Sequence, residues 1–161
     1  MRATLTAVVL VAAGLAAGCG FQLRGATQLS GRMAEPYLEV PDRYTPFHRE
    51  FVASLEAAGA RLAPAREGAT AVVRIHVDEH GRDVLSISAR NTPQEYEVFY
   101  VVEYSVDAGG EEILPRQRLR LTRDYAYDDT AVLAKQHEED DLLEALARDL
   151  AALVTGRLSA L

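Results

Sequence analysis

The chain of 161 residues contains one cysteine and one lysine, and it has no long uninterrupted hydrophobic run. One cysteine excludes an intrachain disulfide, so no covalent staple holds this fold. No Cys–His pair, no Gly-x-Ser-x-Gly turn and no phosphate-cradling glycine loop occurs, so the usual hydrolase and nucleotide-binding signatures are missing. The balance of charge is −7, with no extended basic run, which argues against a general nucleic-acid binder. Lys135 aside, every basic side chain is arginine. Arginine forks suit carboxylate and phosphate recognition, although a GC-rich genome would favour arginine codons as well. Internal repeats and low-complexity segments are also absent.

What is present fits one globular domain, with 48% hydrophobic and 25% charged residues. Arg2 followed by the apolar stretch Leu5 to Ala17 is too short to span a bilayer and reads as a leader. It ends at Leu15-Ala16-Ala17-Gly18-Cys19, which resembles the lipobox of bacterial lipoproteins, with Ala16 where leucine is usual. The alternative is an ordinary signal peptide cut after an Ala-x-Ala-like site. On the lipobox reading residues 1–18 leave, Lys+Arg falls from 17 to 16, the balance becomes −8, and Cys19 carries the lipid. Gly20 in place of aspartate favours the outer membrane. Residues 19–36 form an extended tether and 37–161 the domain.

Within the domain, Tyr37 to Val40 is a short strand. Thr45 caps a helix whose first residue is Pro46, with Phe47, Phe51, Val52, Leu55 and Ala58 as its buried stripe and Gly59 as its stop. Ala71 to Val77 alternates as a strand, with Val73, Ile75 and Val77 on one face and Arg74, His76 and Asp78 on the other. His80-Gly81 is either a hairpin turn or a kink in one longer strand. The next strand alternates from Glu95 to Val106, and Asp107 to Gly110 is a turn. Arg116 to Arg123 alternates again and runs on to Tyr127. Asp128, Asp129 and Thr130 suit the N-terminus of a last helix with a stripe of Leu143, Leu146, Leu150, Leu153, Val154 and Leu158. The order is β-α-β-β-β-α. It predicts an α+β two-layer sandwich, two helices on one face of a four-stranded mixed sheet, with Leu146 and Leu150 buried against Tyr100, Val102 or Leu121.

The open face of that sheet would carry Arg74, His76, Glu97, Phe99, Val101, Glu103, Arg116, Arg118 and Arg120. These either grip anionic lipid phosphates or pair among themselves across the strands. Phe99 and Val101 amid the charges suggest that something covers them. Lys135 stands in the early turns of the last helix, where the dipole disfavours a cation, with Glu139 as its i,i+4 partner in the weaker orientation. Glu138 to Asp141 fan around a helix and cannot converge on one ion. His76 and His80 share strand parity but stand too far apart to co-ligate. No catalytic or metal site is expected, and no cofactor.

Leu133-Ala134-Lys135 with Glu138-Glu139-Asp140, Leu142-Leu143 and Arg148-Asp149, together with Cys19 to Gly25, resembles the LPS-assembly lipoproteins of the LptE family over nearly the whole chain. The resemblance favours one long strand past His80-Gly81, reversing at Arg90 to Pro93. It implies a non-enzymatic outer-membrane lipoprotein on the periplasmic side. Its partner would be the large LptD β-barrel, which it helps to assemble and plugs from within and beneath. The complex inserts lipopolysaccharide into the outer leaflet. It further implies lipopolysaccharide contact by Arg90 and Lys135, to which the open-face Arg118 and Arg120 are added as basic candidates. The rival reading is a stand-alone periplasmic lipid- or peptide-binding lipoprotein with no barrel.

Overall fold

A computed structural model describes residues 29–128 and 130–161. The leader and most of the tether, Cys19 included, lie outside the described residues, as does Asp129. The elements are β1 (Pro36–Glu39), α1 (Pro46–Ala57), β2 (Ala71–Ile87), β3 (Pro93–Ala108), β4 (Glu111–Ala126) and α2 (Val132–Leu158). The sheet runs β1-β2-β3-β4, parallel between β1 and β2 and antiparallel elsewhere, and the two helices pack on each other and on the sheet. This is the expected α+β order. His80-Gly81 lies inside β2, so the longer strand is the one that forms.

Local chemistry sets α1. The Thr45 hydroxyl accepts from the His48 N–H at 3.1 Å, and Pro46 opens the first turn, where a missing N–H costs nothing. At the other end Ala60 N–H reaches Leu55 C=O and Gly59 N–H reaches Glu56 C=O, with Gly59 at φ 91°, the left-handed closure that glycine permits. Phe47, Phe51 and Leu55 are fully buried, and the two rings stack at 5.2 Å.

The long hairpins depart from simple alternation at several points, of which the one near the start of β2 matters most here. Ile75 faces Tyr104 and Val77 faces Glu103, so His76 is an extra residue, a β-bulge. Beyond it the parity of β2 reverses. Asp78, His80 and Arg82 stand opposite Val102, Tyr100 and Val98, whose side chains are buried under the helices. The expectation that Val77 shares a face with Val73 and Ile75, and Asp78 with Arg74 and His76, is therefore corrected. A second shift at Leu85 follows near the β2–β3 turn. That turn runs from Ser88 to Thr92 with Asn91 at φ 61°, and the Ser88 hydroxyl accepts from the N–H groups of Arg90 and Thr92, each at 3.2 Å.

In α2, Leu146, Ala147, Leu150, Ala151, Val154 and Leu158 are buried in one cluster with Tyr100 and Val102, with Leu121 packed against it. Leu153, expected on this stripe, is 48% exposed, and Leu143 is half-buried. The expected aspartate cap is not made either. Ala131 is the N-cap and has no side-chain bond, while Asp128 instead accepts from the N–H and hydroxyl of Thr130. Leu146→Ala should lower stability by about 2–5 kcal/mol, and Leu153→Ala by less than about 0.5 kcal/mol, in chemical denaturation. Equal losses would place the core on a different helix face.

Candidate functional site

The start of α2 is fixed over the far end of the sheet by Arg82. Having been turned inward by the bulge, its guanidinium bridges Glu139 at 2.5 Å and lies over the Tyr96 ring at 4.8 Å. Glu139 also accepts from the Tyr125 hydroxyl at 2.8 Å. Tyr96 stacks on Tyr125 at 5.7 Å and meets Tyr127 edge-on at 5.3 Å. Glu139 is thereby taken, and Lys135 pairs with Glu138 at 2.7 Å, not with Glu139 as expected. Its ammonium stands 6.0 Å from the Tyr125 ring centre, and the side chain is 21% exposed.

The register locates Lys135 and Arg90 relative to each other. Tyr125, beneath Lys135, pairs with Tyr96, and Tyr96 pairs with Val84 on β2. From Val84 the hairpin continues three residues, roughly 10 Å, to Ile87 and then into the turn that carries Arg90. The two cations thus belong to one end of the domain. They are offset by two strand spacings across the sheet, about 10 Å, and further along it. Arg90 is exposed, and among the described residues its guanidinium has no carboxylate partner. The same end gathers five of the seven exposed large hydrophobic side chains among the described residues: Val84, Leu85, Ile87, Val132 and Leu133.

Arg118 and Arg120 lie elsewhere, on the opposite, outer face of the sheet. Arg118 bridges Glu103 at 2.6 Å, and Arg120 bridges Glu97 at 2.9 Å and Asp83 at 3.5 Å. Arg120 also caps the Phe99 ring at 4.4 Å. Val101 in the centre of this face is 2% exposed. The apolar pair there is covered by the chain's own side chains, so no external cover need be invoked.

A profile of the LptE lipopolysaccharide-assembly family matches residues 36–158, which is most of the chain. The chain belongs to the LptE family. Among its LptE relatives, the LPS-assembly lipoprotein LptE of Pectobacterium atrosepticum is 28% identical over 98% of this chain and 86% of its own length. That of Yersinia enterocolitica is 31% identical over 84% of this chain and 65% of its own. The solution structure of lipoprotein B from Nitrosomonas europaea shares the fold with a TM-score of 0.73 and 26% identity, covering 88% of this chain and 91% of that one. LptE-family membership carries the non-enzymatic reading.

Sequence reasoning passed over Arg82 and Asp78, because both read as outward-facing until the bulge is known. Asp78 accepts from the Tyr100 hydroxyl at 2.8 Å and from the Thr45 hydroxyl at 2.5 Å. The two histidines face opposite sides of the sheet, which corrects the expectation of shared parity. His76 is hydrogen-bonded to Ser105 at 2.8 Å, and His80 lies against Tyr100. Burial, reinforced by donation to the Glu139 carboxylate, pushes the Tyr125 phenol up to about 12 from 10.0. A folded state that holds this proton longer than the unfolded chain loses stability as pH rises from about 10 to 12. Glu139→Gln should bring the Tyr125 ionisation down, read by ultraviolet titration of the phenolates. An unchanged titration would mean that the carboxylate does not contribute.

Proposed function

We propose that this LptE-family protein acts in lipopolysaccharide assembly as the lipid-anchored partner of the LptD β-barrel at the periplasmic side of the outer membrane. Residues 1–18 are its lipoprotein signal peptide and Cys19 its acylated N-terminus. Family membership supports the process, and the barrel partner is part of the proposal. The observation that supports a ligand role for this chain is the meeting, at one end, of Arg90 and Lys135 with Val84, Leu85, Ile87, Val132 and Leu133. Cations beside exposed apolar side chains match an amphiphile that bears phosphate or carboxylate groups. On this reading Arg90, held on a turn with no competing carboxylate among the described residues, is the first contact. Lys135 joins it by exchanging Glu138, whose own side chain is exposed, for the ligand's anionic group. Arg118 and Arg120 form a second, outer-face contact that must displace Glu103 and Glu97, so their share of binding is smaller.

Detergent-solubilised outer membrane tests the partner. The barrel should co-purify in roughly equal amount, and a protein recovered alone would favour the stand-alone periplasmic binding lipoprotein. Replacing Cys19 with serine should release the domain from the membrane fraction. Arg90→Ala with Lys135→Ala should weaken lipopolysaccharide binding about tenfold or more and flatten its salt dependence, while the barrel still co-purifies. A double variant that binds lipopolysaccharide as the parent does would remove both residues from the site.

A further inference from the structure

A second recess lies away from this end, on the free edge of β1. The segment 61–63 runs beside β1 without forming a strand of the sheet: Arg61 N–H reaches Ala34 C=O, and Ala63 N–H reaches Pro36 C=O, each at 2.9 Å. Thr70 N–H takes Glu35 C=O on the opposite side, so the backbone of Pro36 faces outward and that of Glu35 inward. With a period of two, the N–H and C=O of Leu38 face outward as well. Among the described residues no backbone bond from this segment reaches Leu38, and the next N–H on the β1 side of it would be that of Ala65. At that point a cleft of about 220 Å³ opens between β1, the 62–64 segment and α1. Leu38, Val52, Leu62 and Pro64 give it apolar walls, and Arg43 and His48 also line it.

Two polar groups in this cleft lack partners. The Nδ1 of His48 is buried without a hydrogen bond. Arg43 has no carboxylate within ion-pair distance among the described residues, although most arginines of this chain do. Burial together with the nearby Arg43 guanidinium holds the His48 imidazole below its usual range, which keeps it neutral and able to take part in a hydrogen bond.

We propose that this cleft is a docking site for an extended acidic peptide segment of a partner protein, which adds to the β1 edge beyond Pro64. Main-chain bonds to Leu38 continue the ladder that Ala63 begins. An apolar side chain enters between Val52 and Leu62, and a neighbouring Asp or Glu faces Arg43. Strand addition supplies affinity through the backbone, and the pocket and the cation supply selectivity. The site is separate from the Arg90–Lys135 end, so it stands or falls independently of the lipopolysaccharide reading.

The test uses the full chain, isotopically labelled, in detergent micelles, titrated with the blocked peptide Val-Glu-Val-Glu-Val and with its counterpart Val-Lys-Val-Lys-Val. The acidic peptide should shift the Leu38 amide and the His48 ring and slow hydrogen exchange at Leu38. The lysine peptide should bind about tenfold more weakly. Arg43→Glu, an exposed change that leaves the core untouched, should reverse that order. Three results would overturn the proposal. One is no response at Leu38 to either peptide, and another is equal binding of both with no effect of Arg43→Glu. The third is displacement of the Leu38 and His48 signals on deleting residues 20–28 alone, which would assign the cleft to the chain's own N-terminal segment.

Discussion

The extra residue at His76 decides how both helices sit on the sheet. Without it, Asp78 and Arg82 would point to the outer face with Arg74. With it, Asp78 turns under α1 and accepts from Tyr100 and Thr45, and the Tyr100 hydroxyl in turn accepts from the Phe47 N–H at 3.1 Å. The cap residue of α1 and an otherwise unused N–H of its first turn are thereby tied to the middle of β2 and β3. A buried phenol and a carboxylate satisfy each other in doing so, which removes the cost of hiding either alone. Arg82, two strand pairs further on, does the same for α2 through Glu139 and Tyr125. One bulge therefore positions the start of each helix by an inward polar side chain of the same strand.

The same reversal shapes the outer face. Gly81 now faces Phe99 across the strands, and a Cβ at that position would come within 2.9 Å of the ring. The ring lies down on the glycine, and Arg120 closes over it. Glu103 takes both Arg116 and Arg118, at 3.6 and 2.6 Å. Each such exposed pair contributes little to stability. Their collective effect is on recognition, since an anion approaching this face meets arginines already facing carboxylates. Arg90, on the turn, presents no such competition.

How far the sequence discloses this depends on the range of the interaction involved. The Thr45-Pro46 start and Gly59 stop of α1 are readable because every partner lies within a few residues. The element order is readable because alternation in β3 and β4 is unbroken over most of their length. The bulge is not readable, since Val73, Ile75 and Val77 alternate without a break and only the pairing with Tyr104 and Glu103 reveals the extra residue. The α2 cap misleads for a local reason, as the Asp128 carboxylate finds the N–H and hydroxyl of Thr130 before it can find the helix. Leu153 misleads because a stripe drawn at steps of three and four widens over 27 residues, and only the inner half of it meets the sheet and α1. Lys135 was legible as an oddity, but its partner was not, because Arg82 and Tyr125, remote in sequence, had already engaged Glu139.

The start of α2 breaks several helix rules at once. Its N-cap is alanine without a side-chain bond, its first turn holds no acidic residue, and a lysine occupies the end where the dipole repels it. Leu133, in the same turn, is 75% exposed. The other end of α2 is ordinary, with Arg157 in the last turn and the Ser159 N–H bonded to Thr155 C=O. Sequences agree with local rules where stability alone constrains them, and depart from them where another requirement prevails. The departure is confined to the end that also carries Arg90 and the apolar cluster on β2. Stability at this end is restored from a distance, through the Arg82 bridge and the stacked tyrosines. The first turn is thereby freed from holding itself together, so Leu133 can face outward while Lys135 lies over the Tyr125 ring.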